Sequence, residues 1–419
     1  MKKFLLQKDY LKFTPLLLIY VLICIVKSQN NLVGDEDDYL RYANNLLNGY
    51  YAHTSNDYAF LWNGPGYPIF LMIFEFFDCS YLIPRLCNAL FLYFGVTLFF
   101  KALKLLIPEK KALYVSLILG LYYPFLSQAL PFMLTEALSF FLISLFTYNL
   151  LLYSNNNSKK NKWLAIISLG YLILTKIIFA YVITALVVIL IPFLFIKKTS
   201  RKYALLLFLS FTFTTPYLAY TYSLTNKLFY FGNSGGMSLY WMSTPYEEEF
   251  GDWHSFITLK EKPKLYKNHG RFINSIQNLD PVNKDIALKE KAIENIKNNK
   301  LKFFKNWLFN LNRLFFNSPY STEFKPPKSV FINSMFKGVL LFFVVVSVFL
   351  SLKHYKKSKP VFCFLASFIL VYIGGISLLS SYPRFLDILL PMLLVWISYT
   401  LQQFTMLKLK QTKEKLGNR

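Results

Sequence analysis

The chain has 419 residues, of which 55% are hydrophobic, 19% are aromatic and only 16% are charged. This composition is too apolar for a soluble globular protein of that length, so we interpret the chain as a polytopic membrane protein. The formal net charge of +24 could indicate a nucleic-acid-binding protein, but nearly all of this excess lies in the gaps between apolar segments and at the two ends of the chain, which excludes that class.

Long apolar segments predict an all-α membrane protein with about ten transmembrane helices. Most segments reach the roughly 20 residues that a membrane-spanning helix needs. The predicted spans are Tyr10 to Val26, Tyr81 to Ile107, Ala112 to Leu126, Pro131 to Tyr153, Trp163 to Ile178, Phe179 to Ile196, Tyr203 to Ser223, Val330 to Leu352, Val361 to Leu379 and Phe385 to Met406.

Alternate gaps between these spans are rich in lysine and arginine, as are both ends of the chain. The positive-inside rule places these basic segments in the cytosol. Both termini are therefore predicted to be cytosolic, and the two long hydrophilic segments extracytoplasmic. The first apolar segment lacks a small-residue cleavage site before Lys27, so we expect a retained helix and not a cleaved signal peptide.

Three regions follow from this topology. Residues 1–223 form an N-terminal transmembrane module that includes the first outer loop, 27–80. Residues 224–329 form an extracytoplasmic subdomain, in which 301–316 has the pattern of an interfacial amphipathic helix. Residues 330–419 form a C-terminal transmembrane module with a basic cytosolic tail.

The first outer loop opens with four consecutive acids, Asp35, Glu36, Asp37 and Asp38. Beside a membrane, burial and mutual repulsion could tune one of these carboxylates as a base. A purely structural interpretation is also open, in which Asp35 caps the following helix and Asp38 lies in its first turn. Both interpretations can hold together.

Other motifs follow the predicted topology in order. They are Gly34 to Tyr39, Pro65-Gly66-Tyr67-Pro68, Pro84-Arg85-Leu86, Thr135-Glu136, Leu174-Thr175-Lys176, Gly235-Gly236 with Leu239-Tyr240, and Tyr382-Pro383-Arg384-Phe385. With its motifs in this order, the chain resembles the C-type membrane glycosyltransferases (GT-C fold). This is the superfamily of protein O-mannosyltransferases and aminoarabinose lipid A transferases. One departure concerns the Lys-Pro-Pro of the aminoarabinose type, where this chain has Asn63-Gly64-Pro65-Gly66.

The resemblance implies a hexosyl- or pentosyltransferase that moves a sugar, with inversion, from a polyprenyl-phosphate donor to a lipid, glycan or protein acceptor. Asp35 matches the catalytic carboxylate and would be the general base, with Glu36 as the alternative.

Cations at the outer ends of predicted spans would stabilise the charge on the leaving phosphate. The candidates for this role are Arg85, Lys176 and Arg384. An interfacial side chain that reaches toward water is the structural alternative for each of them.

The remaining candidates would contact substrate. Glu136 could bind substrate or a metal, although its place at a helix start is explained equally well by the helix dipole. The aromatic residues Trp62, Tyr67 and Tyr240 could contact a sugar ring or a prenyl chain. The spacing of the cysteines and histidines predicts no metal site; no cofactor is required, although a divalent cation at the acidic cluster is possible.

Two other functions fit a protein with ten spans. One is a transporter or flippase for a lipid or polysaccharide, which would place ionisable residues or broken helices at mid-membrane. The other is an O-antigen polymerase or ligase, whose late outer loop usually carries functional arginines. Here that loop has Arg271 and Arg313 without a paired motif.

Overall fold

The computed structural model describes residues 9–28, 32, 34–54, 57–194, 198–321 and 328–417. The predicted all-α fold is confirmed, because these residues form helices and no β-strand beyond one isolated bridge between Thr54 and Asp57. The basic residues Lys2, Lys3, Lys8 and Lys197, which contribute to the predicted topology, lie outside the described residues.

The helices of the N-terminal module occupy the following ranges. They are α1 (Thr14–Lys27), α2 (Asp35–Leu47), α3 (Gly66–Phe76), α4 (Leu82–Lys104), α5 (Glu109–Gly120), α6 (Thr135–Asn156), α7 (Lys159–Thr175), α8 (Ile178–Leu194), α9 (Lys198–Phe211) and α10 (Thr215–Thr225). A π-helical turn, Phe125–Ala129, precedes α6, and a 3₁₀ turn, Thr212–Thr214, joins α9 to α10.

The rest of the chain adds a subdomain, predicted to be extracytoplasmic, and four further helices. The subdomain contains α11 (Gly235–Met242), α12 (Phe256–Leu259), α13 (Pro263–Ser275), α14 (Pro281–Asn298) and α15 (Lys300–Phe316). Then follow α16 (Lys328–Lys353), α17 (Pro360–Ser377), the short α18 (Pro383–Asp387) and α19 (Leu390–Gly417).

Five of the ten predicted spans correspond to helices that are long and apolar enough to cross a membrane. These are Leu82–Lys104, Thr135–Asn156, Thr199–Thr225, Ser334–Lys353 and Pro360–Ser377. Apolar helices with fewer residues occupy three other regions, Thr14–Lys27, Gly66–Phe76 and Ile178–Phe193. The chain is therefore a multi-pass helical membrane protein.

Two predicted spans are interrupted in the structure. The span predicted from Ala112 to Leu126 is a 12-residue helix, α5, which ends at a turn at Leu121, shortly before Pro124 and the π-helical turn. The span predicted from Phe385 to Met406 is divided between α18 and α19. In both places a proline favours the break, because its ring removes a backbone donor and restricts the residue before it.

The centre of the bundle is formed by α4, α6 and α7, which pack against one another in sequence, while α19 packs on both α4 and α6. Helix α17 lies against α8 and α19. This order brings the starts of α6, α8 and α18 to one end of the bundle, where α2 also begins.

Helix α2 begins directly at the acidic cluster. Its N-cap is Gly34, at φ 62°, and no side chain caps the helix. The expectation that Asp35 is the N-cap is therefore wrong: Asp35 is the first helical residue, and all four acids lie in the first turn. The helix dipole favours negative charge there.

The outer subdomain has a hydrophobic core of its own, which includes Met237, Trp241 and Leu288. Along α15, Lys302, Asn306 and Arg313 are buried, and the Asn306 side-chain amide donates to the carbonyl oxygens of Met242 and Thr244 at 3.1 and 3.0 Å. The polar face of α15 therefore packs against the rest of the subdomain. Apolar side chains on its other face are exposed, namely Leu301, Phe304 and Leu308. Its interfacial position stays a prediction.

A close backbone contact fixes α3 against the end of α7. A Cβ atom at Gly66 would lie 2.6 Å from the backbone nitrogen of Thr175, and the Tyr171 hydroxyl donates to the Gly66 carbonyl oxygen at 2.7 Å. Only glycine fits this approach. The contact holds the segment around Trp62 beside Lys176.

We predict that Gly66→Ala lowers the free energy of unfolding by about 1–3 kcal/mol, because the added methyl group must displace backbone atoms of α7. Thermal unfolding of the purified protein in detergent measures this effect. Gly374→Ala is the matched control, since a Cβ atom there meets nothing within 4 Å. Equal stability of the two variants would contradict the close contact.

Candidate active site

The four adjacent acids of α2 have different partners. Asp37 pairs with Arg41 at 2.5 Å on the exposed surface, and Asp38 lies 2.8 Å from His53 Nε2. Glu36 is fully buried, whereas the Asp35 side chain keeps 45% of its exposure. Successive helical residues point about 100° apart, so the cluster cannot act as one site. Asp35 lines two adjoining cavities.

Asp35 belongs to a chain of ion pairs that joins four segments. Arg384 Nη2 lies 2.7 Å from Asp35 Oδ2, and Arg384 Nε lies 3.8 Å from Glu136 Oε1. Lys176 Nζ lies 3.2 Å from the same Glu136 oxygen. The structure thus brings together Asp35, Glu136, Lys176 and Arg384, which lie far apart in the sequence.

Arg384 remains positively charged in this setting. Burial acts to lower the pKa of the guanidinium, but the neighbouring carboxylates of Glu136 and Asp35 outweigh burial, so the pKa is raised above its ordinary value. A fixed cation at this position can attract an anionic group of a ligand.

A first cavity of about 310 Å³ opens beside Asp35. Its walls are largely apolar and come from the π-helical turn and the segment that leads into α6, with Phe125, Ala129 and Phe132 among them. Its polar residues are Asp35, Gln128, Glu136, Arg384 and Asp387.

A second cavity of about 380 Å³ adjoins the first at Asp35, Glu136 and Arg384, which line both. It also contains Lys176 and aromatic side chains from the two outer regions, Trp62 and Trp253. Apolar residues of α8 and α17 complete its wall. Asp35 therefore stands at the junction of a mainly apolar cavity and a cavity with cations and aromatic rings.

One carboxylate oxygen at this junction lacks a partner. Glu136 Oε2 is buried and has no hydrogen-bond partner among the described residues. Buried polar atoms in native proteins are normally paired, so an orphan beside two cavities indicates a position where a ligand group could donate.

Glu36 and Arg85 are placed differently from the prediction. Arg85 is 1% exposed, and its Nη2 lies 3.1 Å from Glu36 Oε1, which also accepts from the backbone nitrogen of Met133 at 2.7 Å. Arg85 Nη1 donates to Ser28 Oγ at 3.0 Å. Neither Glu36 nor Arg85 lines the two cavities. The pair joins the start of α2 to α4 and to the segment before α6, and so fixes the position of Asp35.

The three aromatic candidates lie in different parts of the structure. Trp62 lines the second cavity. Tyr67 is fully buried and packs edge-to-face on Tyr39, with ring centroids 5.2 Å apart, so it supports a wall residue from behind. Tyr240 lies in the core of the outer subdomain, where its hydroxyl is 2.7 Å from His269 Nδ1. Tyr67 and Tyr240 line neither cavity.

Asp387 lines the first cavity, although it was not among the candidate residues predicted from the sequence. Its carboxylate lies 3.0 Å from Lys337 Nζ and accepts from the Tyr122 hydroxyl at 3.1 Å, while Lys337 also donates to the Pro383 carbonyl oxygen. This buried pair ties α18, and with it Arg384, to α16. The sequence does contain a signal for this pair. An acid and a lysine inside two predicted spans are rare, so their presence suggests that they pair with each other.

The described residues contain no group of three or more His, Cys, Asp or Glu side chains that could hold a metal ion. The Asp35 and Glu136 carboxylates both lie beside Arg384. A divalent cation at the acidic cluster stays a prediction.

The solved structures that are similar to this chain include ArnT and AglB. ArnT from Cupriavidus metallidurans, bound to undecaprenyl phosphate, is 14% identical; the match covers 94% of this chain and 77% of that chain, with a TM-score of 0.40. Archaeal oligosaccharyltransferase AglB from Archaeoglobus fulgidus, in complex with an inhibitory peptide and a dolichol-phosphate, is 14% identical, with a TM-score of 0.46.

The AglB match covers 99% of this chain but only 52% of that chain, so this protein spans about half the AglB length. No protein-family model matches the chain, and neither does any curated protein. Because both TM-scores are low, the function is inferred from the geometry of the site.

We predict that Arg85→Met destabilises the protein by about 3–5 kcal/mol, because the mutation removes the cation that faces a fully buried Glu36. The double variant Arg85→Met, Glu36→Gln should recover most of this loss. Thermal unfolding of both variants tests the structural role. An Arg85→Met protein of unchanged stability that has lost only ligand binding would instead identify Arg85 as a ligand residue.

Proposed function

We propose that this protein is an integral membrane glycosyltransferase that moves a sugar from a polyprenyl-phosphate donor to an acceptor on the extracytoplasmic side. The observation that carries the proposal is the position of Asp35. Its carboxylate lies where the two cavities meet and forms an ion pair with Arg384. Lys176 belongs to the same chain of ion pairs. A base and two cations at one junction suit a transfer with an anionic leaving group.

The second cavity suits the donor. Lys176 and Arg384 both line it and would bind the phosphate that departs from the sugar. The rings of Trp62 and Trp253 offer flat apolar surfaces on which a sugar could stack. Ile178, on α8, adds an apolar side chain to the wall, and a prenyl chain would lie along such a surface.

The first cavity suits the acceptor. An acceptor hydroxyl placed there would lie next to Asp35, which would take its proton as the oxygen attacks the anomeric carbon. The new bond forms between that oxygen and the sugar, and the bond to the phosphate oxygen breaks on the opposite side. Because the acceptor and the phosphate occupy different cavities, the configuration at the anomeric carbon inverts.

Arg384 couples donor binding to the activity of the base. In the structure its guanidinium is bound to Asp35 Oδ2 at 2.7 Å, so this carboxylate oxygen is occupied by Arg384. A donor phosphate in the second cavity would compete with Asp35 for the same guanidinium. The carboxylate would then be released toward the acceptor only after the donor has bound, which would limit unproductive reaction.

We expect Asp35→Asn to reduce sugar transfer by at least about 100-fold, because an amide cannot accept the proton and general bases contribute about 10²–10⁴-fold. The assay incubates the purified full-length protein with radiolabelled polyprenyl-phosphate sugars and a membrane acceptor fraction, and counts the radiolabel in the acceptor.

Asp37→Asn is the matched control, since Asp37 lies in the same turn but is exposed and paired with Arg41. It should retain full transfer. Undiminished transfer by Asp35→Asn would refute the assigned base, and transport of labelled substrate into proteoliposomes without covalent change would favour a transporter instead.

A further inference from the structure

A cavity of about 490 Å³ lies at the end of the bundle opposite to Asp35. It is formed by residues of α8, α9 and α17, together with Lys356 and Ser358 from the segment between α16 and α17. Along α17, this cavity is lined from Pro360 to Ser367, whereas the second cavity is lined by Tyr372 and Ile376. At about 1.5 Å per residue Pro360 and Ile376 are about 24 Å apart, so the far ends of the two cavities lie toward opposite ends of the helix.

One end of this cavity is polar. Lys356 lines it together with the hydroxyl-bearing side chains of Thr199 and Ser200, at the start of α9, and of Ser358, just before α17. An ammonium group surrounded by hydroxyls can bind a phosphate through charge and several hydrogen bonds at once.

The other end of the cavity is apolar and leads to the bilayer. Its wall includes Leu186 and Phe364, which are buried, and Ile189, which is 47% exposed. From Ile189 the exposed apolar face of α8 continues through Val188 and Ile191. A ligand in this cavity would therefore touch a cation at one end and hydrocarbon at the other.

We propose that this cavity binds an anionic phospholipid of the cytosolic leaflet, with the phosphate at Lys356 and an acyl chain along α8. Two features favour a lipid over a soluble phosphate. The apolar end matches an acyl chain that a free anion lacks, and basic pockets between transmembrane helices on the cytosolic side suit the head groups of anionic lipids. The site is independent of the proposed transfer reaction.

The test uses the purified full-length protein titrated with phosphatidylglycerol, and native mass spectrometry gives the apparent Kd of each bound lipid. Lys356→Gln should weaken the tightest binding by about 10-fold, the loss expected for one charge-assisted contact. Ser367→Leu should weaken it as well, because it fills the cavity without changing any charge. Phosphatidylcholine should bind more weakly to the unmodified protein than phosphatidylglycerol does.

Lys357→Gln is the matched control, because Lys357 is also exposed and lies in the same short 3₁₀ turn but does not line the cavity. It should leave the apparent Kd unchanged. Equal losses in the two lysine variants, equal affinity for phosphatidylcholine, or displacement of the lipid by millimolar inorganic phosphate alone would each overturn the proposal.

Discussion

The site depends on one interaction, the ion pair between Arg384 and Asp35. Arg384 lies just before α19 and Asp35 just after α1, so their 2.7 Å contact closes one end of the bundle. Glu136 extends the contact to Lys176 and thereby to α6 and the junction of α7 and α8. In a site partly shielded from water such pairs hold their partners firmly, because an unpaired charge is costly there.

Two further buried pairs fix the ends of this chain of charges. Glu36 and Arg85 hold the first turn of α2, and Lys337 with Asp387 holds α18. Neither pair has to contact a substrate in order to affect the proposed reaction. By holding the backbone on each side of Asp35 and Arg384, the two pairs preorganise the carboxylate and the guanidinium that would carry the reaction.

Much of the site could be predicted from the sequence, because hydropathy and lysine positions place Asp35, Glu136, Lys176 and Arg384 at one end of the predicted spans. What the sequence could not show is the direction in which each side chain points. Glu36 adjoins Asp35 in the sequence but points into the protein, and Arg85 has the right depth but faces Glu36. Such outcomes depend on rotation about the helix axis and on partners distant in sequence, which a single chain does not reveal.

The most direct test of this account is a cryo-electron microscopy structure of the full-length protein with a bound polyprenyl phosphate. We predict that the phosphate lies in the second cavity, within about 3.2 Å of Lys176 Nζ or the Arg384 guanidinium, and that the Asp35 carboxylate has separated from Arg384. A phosphate bonded to neither cation, or one bound with the pair of Arg384 and Asp35 intact, would contradict the account.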